Sequence, residues 1–263
     1  MAAPPAAASR RRRRRGGCLL VLVLLLAALV AAAVAGDATA RSRAEAAVAE
    51  QVQRETGLGT TPQVDFPDGS FLLQAARGRF DAVTITAPTA PAAELGTDVD
   101  LRDVRVRLDG VTVQRQVLLG RAGELTTTGG EARALVPWAA LEERVRAAGA
   151  DAVLSAAGQR VRATTSLRVL GQDVELALDV APRLDGDDLL LVPEAASLAG
   201  RGVGLDELRD LARSAGLSTV LDGVGVPLQG LPAEVSPRGL RVVEQGVVVD
   251  ADVQPVRQEV PAR

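Results

Sequence analysis

The side chains in this sequence that could take part in catalysis are almost all carboxylates. The chain has no His and no Lys, and its single cysteine, Cys18, lies within an apolar N-terminal run. Ser-His-Asp, Cys-His and Ser-Lys catalysis, Schiff-base chemistry and ordinary zinc sites are therefore excluded. Pairs of acids, Asp65 with Asp68 or Asp98 with Asp100, could hydrolyse a glycoside. We interpret them as solvated strand ends and turns, because aromatic residues able to stack on a sugar make up only 2% of the chain. The sequence thus predicts a protein that is not an enzyme.

Two further motifs have the residue types of a metal or nucleotide site. The segment "DGDD", residues 185–188, clusters oxygen ligands of the kind calcium prefers, but it lacks the spacing and the closing Glu of an EF-hand. We interpret it as a hairpin turn. The segment "GRGVG", residues 200–204, misplaces the third glycine of a dinucleotide-binding turn and follows no predicted strand, so we expect a loop before a helix. Neither a metal nor a cofactor is predicted.

The most unusual cluster of side chains lies between residues 66 and 80. It contains all three phenylalanines of the chain, two leucines and two arginines: Phe66, Phe71, Leu72, Leu73, Arg77, Arg79 and Phe80. Guanidinium groups are well suited to binding phosphate, and the apolar residues could form a wall beside it. The alternative is an ordinary core under a loop, with solvated arginines.

Composition limits both the core and the partners. Hydrophobic residues make up 47% of the 263 residues, and with so few aromatics the interior must be built from Val, Leu and Ala. This length suits one large all-β domain or two smaller ones. The formal net charge of −3 leaves −9 for residues 37–263 once the six positive charges of Arg10–Arg15 are set aside. Such an acidic body is a poor non-specific ligand for nucleic acid or an anionic membrane surface, so no nucleic-acid partner is predicted.

The N-terminus has the pattern of a membrane anchor or an export signal. Residues 1–17 form an Arg-rich tail that the positive-inside rule keeps in the cytoplasm. Residues 18–35 are uncharged and would span about 27 Å as a helix. We favour a retained transmembrane helix in the cell membrane, with the body on the extracytoplasmic side. Because Ala33-Val34-Ala35 fits the small-x-small cleavage rule, the alternative is a cleaved signal and a secreted body.

The body, residues 36–255, alternates helices with runs of strands. Helical spacing and glycine stops predict helices over 41–59, 137–149 and 204–216. Period-two alternation predicts strands at 81–87, 97–113, 160–170, 172–180 and 246–253. The alternation changes phase at Arg102-Asp103, which predicts a β-bulge. Consecutive strands joined by short turns favour an α+β fold with a mainly antiparallel sheet, and residues 256–263 are expected to form a flexible tail.

Several segments follow one another in a characteristic order. They are a helix ending "TGLG", a strand "TPQVDFPDGSFLLQ", the stretch "GRFDAVTITAP", the strand "LRDVRVRLDGVTV" and a closing hairpin "SPRGLRVVEQGVVVDADV". Over roughly residues 41–255 this order resembles the LmeA family of phospholipid-binding proteins of actinobacteria, formerly a domain of unknown function. The absence of Lys and Asn, whose codons are AT-rich, also suggests a high-GC bacterium such as an actinomycete.

The resemblance implies an elongated, tubular lipid-binding fold, in which a strongly curved sheet wraps around a long helix behind one N-terminal transmembrane helix. It implies phospholipid and the cytoplasmic membrane as partners, and a role as carrier or sensor in cell-envelope lipid or lipoglycan metabolism. A membrane protein of the envelope could be a further partner. The alternative function is a non-catalytic envelope module that binds a membrane protein or a cell-wall component.

Within such a fold, the cluster at residues 66–80 and the strand after it have expected roles. Seven apolar residues would form the lip and first wall of a lipid groove: Phe66, Phe71, Leu72, Leu73, Phe80, Val83 and Ile85. Two arginines would meet a headgroup phosphate: Arg77 and Arg79. For each of them, ordinary packing or solvation stays the alternative.

Overall fold

A computed structural model describes residues 15–67, 69–91, 100–118, 121–147, 149, 151–169, 172–185, 188–207, 224–227 and 234–260. Its helices are α1 (Arg15–Thr56), α2 (Phe71–Arg77), α3 (Arg115–Leu118) and α4 (Trp138–Ala147). The first strands are β1 (Gln63–Asp65), β2 (Arg79–Ala90), β3 (Leu101–Val113), β4 (Gly123–Thr126), β5 (Gly129–Pro137), β6 (Val153–Ala157) and β7 (Arg160–Val169). The others are β8 (Gln172–Asp185), β9 (Asp188–Leu198), β10 (Arg201–Val203), β11 (Val224–Pro227), β12 (Val235–Val243), β13 (Gly246–Val253) and β14 (Arg257–Val260).

Helix α1 runs without a break from the apolar N-terminal segment into the domain. The helix predicted over 41–59 is therefore the last part of a 42-residue helix. It ends after Thr56 because Gly57 adopts a left-handed conformation, with φ 71°, and donates its N–H to the carbonyl oxygen of Gln53. The side chains described in α1 begin at Val34, and no helix of described residues is long and apolar enough to cross a membrane.

The strands form two sheets. Sheet A has the order β1-β2-β3-β5-β13-β12, and β4 joins it by pairing with both β3 and β14. Sheet B has the order β10-β9-β8-β7-β6, with β11 also pairing with β9. Every strand pairing in the described part of the chain is antiparallel. The prediction of an α+β fold built mainly from antiparallel sheet is confirmed.

The predicted β-bulge in β3 is also confirmed. The register of β3 against β5 shifts between Arg102 and Arg105, and Asp103 between them has a φ of 47°. An extra residue in one strand increases the local twist and bends that strand. Similar shifts occur where β8 pairs with β9 and where β12 pairs with β13, so strands of both sheets carry such irregularities.

The largest group of buried side chains lies between the two sheets and against α4. We call it the aliphatic core, and its fully buried members come from α4 and from both sheets: Val136, Leu141, Val161, Leu189 and Val247. Trp138 packs at its edge and donates its indole N–H to the carbonyl oxygen of Glu244 at 2.8 Å. The interior between the sheets is therefore aliphatic, as the composition predicts.

Two stretches differ from the sequence-based expectation. The strand expected over "TPQVDFPDGSFLLQ" is a strand only in β1, and its second half is the helix α2. Ser70 caps that helix and Gly78, with φ 66°, ends it, which is a local signature of a short helix. The loop expected at "GRGVG" contains β10, which pairs with β9, so a strand does precede it.

Other expectations lie partly outside the described residues. In the hairpin predicted at "DGDD", Asp185 pairs with Asp188 at the ends of β8 and β9. Only residues 204–207 of the helix predicted over 204–216 are described, and 205–207 of them are helical. Of the tail expected to be flexible, Arg257–Val260 form β14 and pair with β4, which gives their backbone groups partners in sheet A. Asp68 and Asp98, from the proposed acid pairs, are also outside the described residues.

Candidate functional site

Three charged side chains of α1 hold the segment that joins β1 to α2. Their contacts are Glu45 Oε1 with the N–H of Phe66 at 3.3 Å, Arg41 Nη2 with the carbonyl oxygen of Gly69, and Asp37 Oδ1 with the N–H of Leu72 at 2.7 Å. Residues four apart lie one above the other on a helix. The segment therefore runs along one face of α1, from its C-terminal part towards the apolar N-terminal part.

Asp37 closes this series by capping the N-terminus of α2. Its carboxylate accepts hydrogen bonds from the Ser70 hydroxyl at 2.7 Å and from the N–H groups of Phe71 and Leu72 at 3.1 and 2.7 Å. Ser70 Oγ in turn accepts the N–H of Leu73 at 3.4 Å. The Leu72 N–H and then the Ser70 hydroxyl are the main causes that lower the pKa of Asp37, since both favour its charged form. The N–H groups of the first turn of α2 thus find their acceptors in Asp37 of α1 and in the helix's own cap, Ser70.

The phenylalanines meet where α1, α2 and sheet A come together. Ring centroids lie 5.2 Å apart for Phe66 and Phe71, 5.2 Å for Phe66 and Phe80, and 5.7 Å for Phe71 and Phe80. We call this group the aromatic junction, and it includes four further buried residues: Ala49, Val64, Val83 and Val111. It joins α1 to the β1-β2-β3 end of sheet A.

Helix α2 has one buried face and one exposed apolar face. Phe71 and Gln74 are buried, and Gln74 Oε1 accepts the N–H of Asp81 at 2.9 Å, which fixes α2 to the start of β2. On the other face, 47% of Leu72 and 50% of Leu73 is exposed. Helix α2 thus presents two leucines at the surface, while Asp37 of α1 fixes its N-terminus and Gln74 fixes it to β2.

Arg77 and Arg79 flank the residue at which α2 turns into β2. Gly78 needs its positive φ there, and a Cβ would lie 2.5 Å from the carbonyl oxygen of Val113. Both arginines are exposed, and neither guanidinium group has a hydrogen-bond or ion-pair partner among the described residues. Arg115 adds a third guanidinium nearby, since its Nη2 donates to the carbonyl oxygen of Ala76 at 3.2 Å. Three guanidinium groups therefore lie near the C-terminal end of α2.

Comparison with known proteins bears directly on this region. The sequence model of LmeA-like phospholipid-binding proteins matches residues 35–252. The chain belongs to that family. The resemblance in the sequence is confirmed, and no curated protein and no solved structure shows significant similarity. The LmeA match begins two residues before Asp37 and ends within β13, so it includes the α1–α2 contacts, the aromatic junction, sheet B and all of sheet A except β14 and the end of β13.

In this LmeA-family protein, the nine predicted site residues form two layers around α2 and the start of β2. The buried layer contains Phe66, Phe71, Phe80 and Val83, with Ile85 partly buried against them. The exposed layer contains Leu72, Leu73, Arg77 and Arg79. The structure thus brings the predicted residues together, and separates those that pack on α1 from those at the surface.

Sequence reasoning missed the residues that hold α2 in place. Ser70 before an apolar run, with Gly78 after it, is a recognisable cap and stop for a helix. Asp37, Arg41 and Glu45 also have a spacing of four in the sequence, but their partners are 21 to 35 residues away. Only the packing of α1 on sheet A reveals those partners.

The other acids with a shifted pKa belong to ion pairs on the sheets. A hydrogen bond from Arg162 is the largest cause that lowers the pKa of Asp179. Burial acts to raise the pKa of Asp250, but hydrogen bonds from Arg133 and Arg241 outweigh it and the net shift is downward. Among the described residues, no group of three or more Cys, Asp or Glu side chains is arranged to hold a metal ion.

Proposed function

We propose that this LmeA-family protein is a membrane-anchored, extracytoplasmic phospholipid-binding protein, acting as a carrier or sensor in cell-envelope lipid or lipoglycan metabolism. The family match carries the phospholipid-binding part of the proposal, because that is the property by which the family is described. The match extends over the second half of α1, over α2 and over nearly all of both sheets, so it covers most of the described domain.

Residues 18–35 are the anchor in this proposal. They cross the cytoplasmic membrane once and leave Arg10–Arg15 in the cytoplasm, as the positive-inside rule predicts. The uncharged sequence supports this, and so does the unbroken backbone of α1, which would join the anchor rigidly to the domain. If the segment is instead cleaved after Ala35, the secreted body keeps Asp37 and with it the contacts to α2.

The proposed architecture is the elongated tubular type, with a strongly curved sheet around a long helix. Packing of α1 on β1–β3 supports it, as does the bulge in β3, because a bulge bends its strand. The lipid lies at the aromatic junction: Leu72 and Leu73 form the lip, and Phe66, Phe71, Phe80, Val83 and Ile85 form the wall behind it. Arg77 and Arg79 meet the headgroup phosphate, since they have no partner among the described residues.

The energetics of an acyl chain favour exchange over permanent storage. Burial of a sixteen-carbon chain gains on the order of 12 kcal/mol relative to water, at about 0.8 kcal/mol per CH₂. A bilayer offers the chain nearly the same gain. A lipid would therefore pass between membrane and protein at little net cost, which suits a carrier or a sensor.

The proposal includes no catalytic step. A general acid among carboxyl groups needs a raised pKa at neutral pH. The described acids with a shifted pKa, Asp37, Asp179 and Asp250, all shift downwards, because hydrogen bonds favour their charged forms. This favours structural roles for these three carboxylates.

The test of phospholipid binding is native mass spectrometry with lipid extraction on the full chain, exported in an actinobacterial host and purified in mild detergent. A fragment starting at Arg41 would lack Asp37 and is unsuitable. We expect one phospholipid in stoichiometric amount. A lipid-free mass that persists after incubation with anionic and zwitterionic vesicles would contradict the proposal and favour the alternative, an envelope module that binds a protein or the cell wall.

The proposed binding of the headgroup phosphate by Arg77 and Arg79 is tested by comparing two variants. In the double variant Arg77→Gln and Arg79→Gln, we expect less anionic phospholipid to co-purify. Arg201→Gln removes an exposed arginine of sheet B and serves as the matched control, with unchanged lipid content. Equal lipid content in both variants would show that Arg77 and Arg79 do not bind the phosphate.

A further inference from the structure

Exposed apolar side chains are concentrated at one end of the described domain. Four large hydrophobic residues are strongly exposed among the described residues: Val34, Leu72, Leu73 and Val153. Val153 lies in β6 of sheet B. The other three are at the α1–α2 contact, because Val34 precedes Asp37 by three residues and Asp37 binds the N–H of Leu72. An apolar surface held in this way is typical of a contact site.

The position of α2 along α1 is fixed by the three contacts of the connecting segment. Phe66 lies at the level of Glu45, Gly69 at that of Arg41 and Leu72 at that of Asp37. At 1.5 Å per residue, the segment advances about 12 Å along α1 towards its N-terminus. The apolar run ends at Ala35, about 3 Å along the helix axis from Asp37. Leu72 is therefore level with the end of the segment that would leave the bilayer.

We propose that α2 is a membrane-contacting element, whose residues Leu72 and Leu73 insert into the headgroup–acyl boundary of the bilayer in which α1 is anchored. This inference rests on the proposed anchoring of residues 18–35. It deepens the proposed function, since it places the lip of the lipid site in the membrane that supplies the lipid. An interfacial helix inserts its apolar face about 5–10 Å into this boundary, a depth that leucine side chains can reach.

The charges around α2 suit the same partner. Arg77 lies four residues after Leu73 and so on the same side of α2, where its guanidinium can bind a lipid phosphate. The body as a whole is acidic, so its net charge does not attract it to an anionic surface. In this proposal, the contact with the membrane comes from the insertion of Leu72 and Leu73, next to the transmembrane segment of the same chain.

The experiment measures the depth of α2 in the membrane. The full chain, with Cys18→Ser, carries a single new cysteine through Leu72→Cys or Leu73→Cys, labelled with an environment-sensitive fluorophore. It is reconstituted into vesicles of phosphatidylglycerol and phosphatidylethanolamine that contain a lipid with a nitroxide high on its acyl chain. Val153→Cys is the matched control, because it is an exposed valine of sheet B. Circular dichroism checks that each variant is folded.

We expect the nitroxide lipid to reduce the fluorescence at positions 72 and 73 at least about twofold, as for a side chain at the headgroup–acyl boundary, and to leave position 153 unchanged. Flotation after an alkaline wash tests the anchor separately. If the chain floats but position 72 is quenched no more than position 153, the membrane contact of α2 is wrong and the anchor stands. If the chain does not float, the anchor and this inference fail together, while native mass spectrometry still tests lipid binding.

Discussion

The aromatic junction and the aliphatic core are both buried, but they are built differently. The aliphatic core joins two sheets and α4 through Val and Leu side chains such as Val136, Leu141 and Val247. The aromatic junction uses all three phenylalanines and is bordered by charged side chains of α1, with Leu72 and Leu73 left exposed beside it. Both regions stabilise the fold, and the aromatic junction also holds an exposed apolar surface in place.

Arg77 and Arg79 differ from many arginines on the sheets around the aliphatic core. Several of those pair with acids, as Arg162 does with Asp179 at 2.8 Å and Arg241 with Asp250 at 3.0 Å. Next to the aromatic junction, Arg77 and Arg79 have no partner in the described part of the chain. An arginine whose donors are already occupied binds an external phosphate poorly, so the unpaired pair is the better candidate for a headgroup.

The largest effect is expected from Phe80→Ala in the aromatic junction. Removal of a buried phenylalanine costs about 3–5 kcal/mol of the free energy of unfolding. We also expect less phospholipid to co-purify, because Phe80 is part of the proposed wall. Denaturant unfolding of the full chain in micelles measures the first effect and lipid extraction the second. Phe80→Leu keeps most of the volume and is the control. Full lipid content in a folded Phe80→Ala protein would remove this residue from the site.

The corresponding change in the aliphatic core is Leu141→Ala. Leu141 is fully buried in α4, so its loss should cost about 2–5 kcal/mol of unfolding free energy. Here we expect the lipid content per folded molecule to stay at the wild-type level, as measured by extraction from protein that has passed size-exclusion chromatography. A parallel loss of lipid would mean that the two regions do not have separate roles.

A smaller effect is expected at the turn between α2 and β2. Gly78→Ala places a side chain in a left-handed conformation and within 2.5 Å of the Val113 carbonyl oxygen, so it should cost more than about 1 kcal/mol. Gly57→Ala has a similar φ with nothing within 4 Å, and it isolates the cost of the backbone conformation. Equal unfolding free energies for the two variants would show that β3 moves aside at no cost.

The smallest effect is expected at low pH and confined to α2. Because the fold lowers the pKa of Asp37, its cap stabilises the structure above the ordinary value of 3.8 and is lost as the pH falls through the lower, folded value. Amide exchange at Phe71 and Leu72, corrected for intrinsic rates, should therefore increase in that range. Asp37→Asn should abolish this pH dependence. An identical pH dependence in that variant would assign the change to another group.

Much of the sheet architecture could be predicted from the sequence, because alternation and turn residues act locally. The strand at 246–253 and the bulge at Arg102-Asp103 are examples, since each follows from the phase of apolar residues along one strand. The candidate site was predictable only as a group of residues. Exposure of Leu72 and burial of Phe71 next to it could not be predicted from composition, because both are apolar neighbours in the same run.

The sequence by itself determined the class of fold, the family, the aliphatic interior and the concentration of phenylalanines near the arginines, because these depend on residue types and local periodicity. Only the tertiary structure decided that α1 is one helix up to Thr56 and that Asp37, Arg41 and Glu45 hold the segment leading into α2. Those hydrogen bonds join residues 21 to 35 positions apart. Their partners are backbone groups, which every residue has, so the residue types do not reveal which groups are bound. The placement of Leu72 and Leu73 at the surface follows from the same long-range contacts.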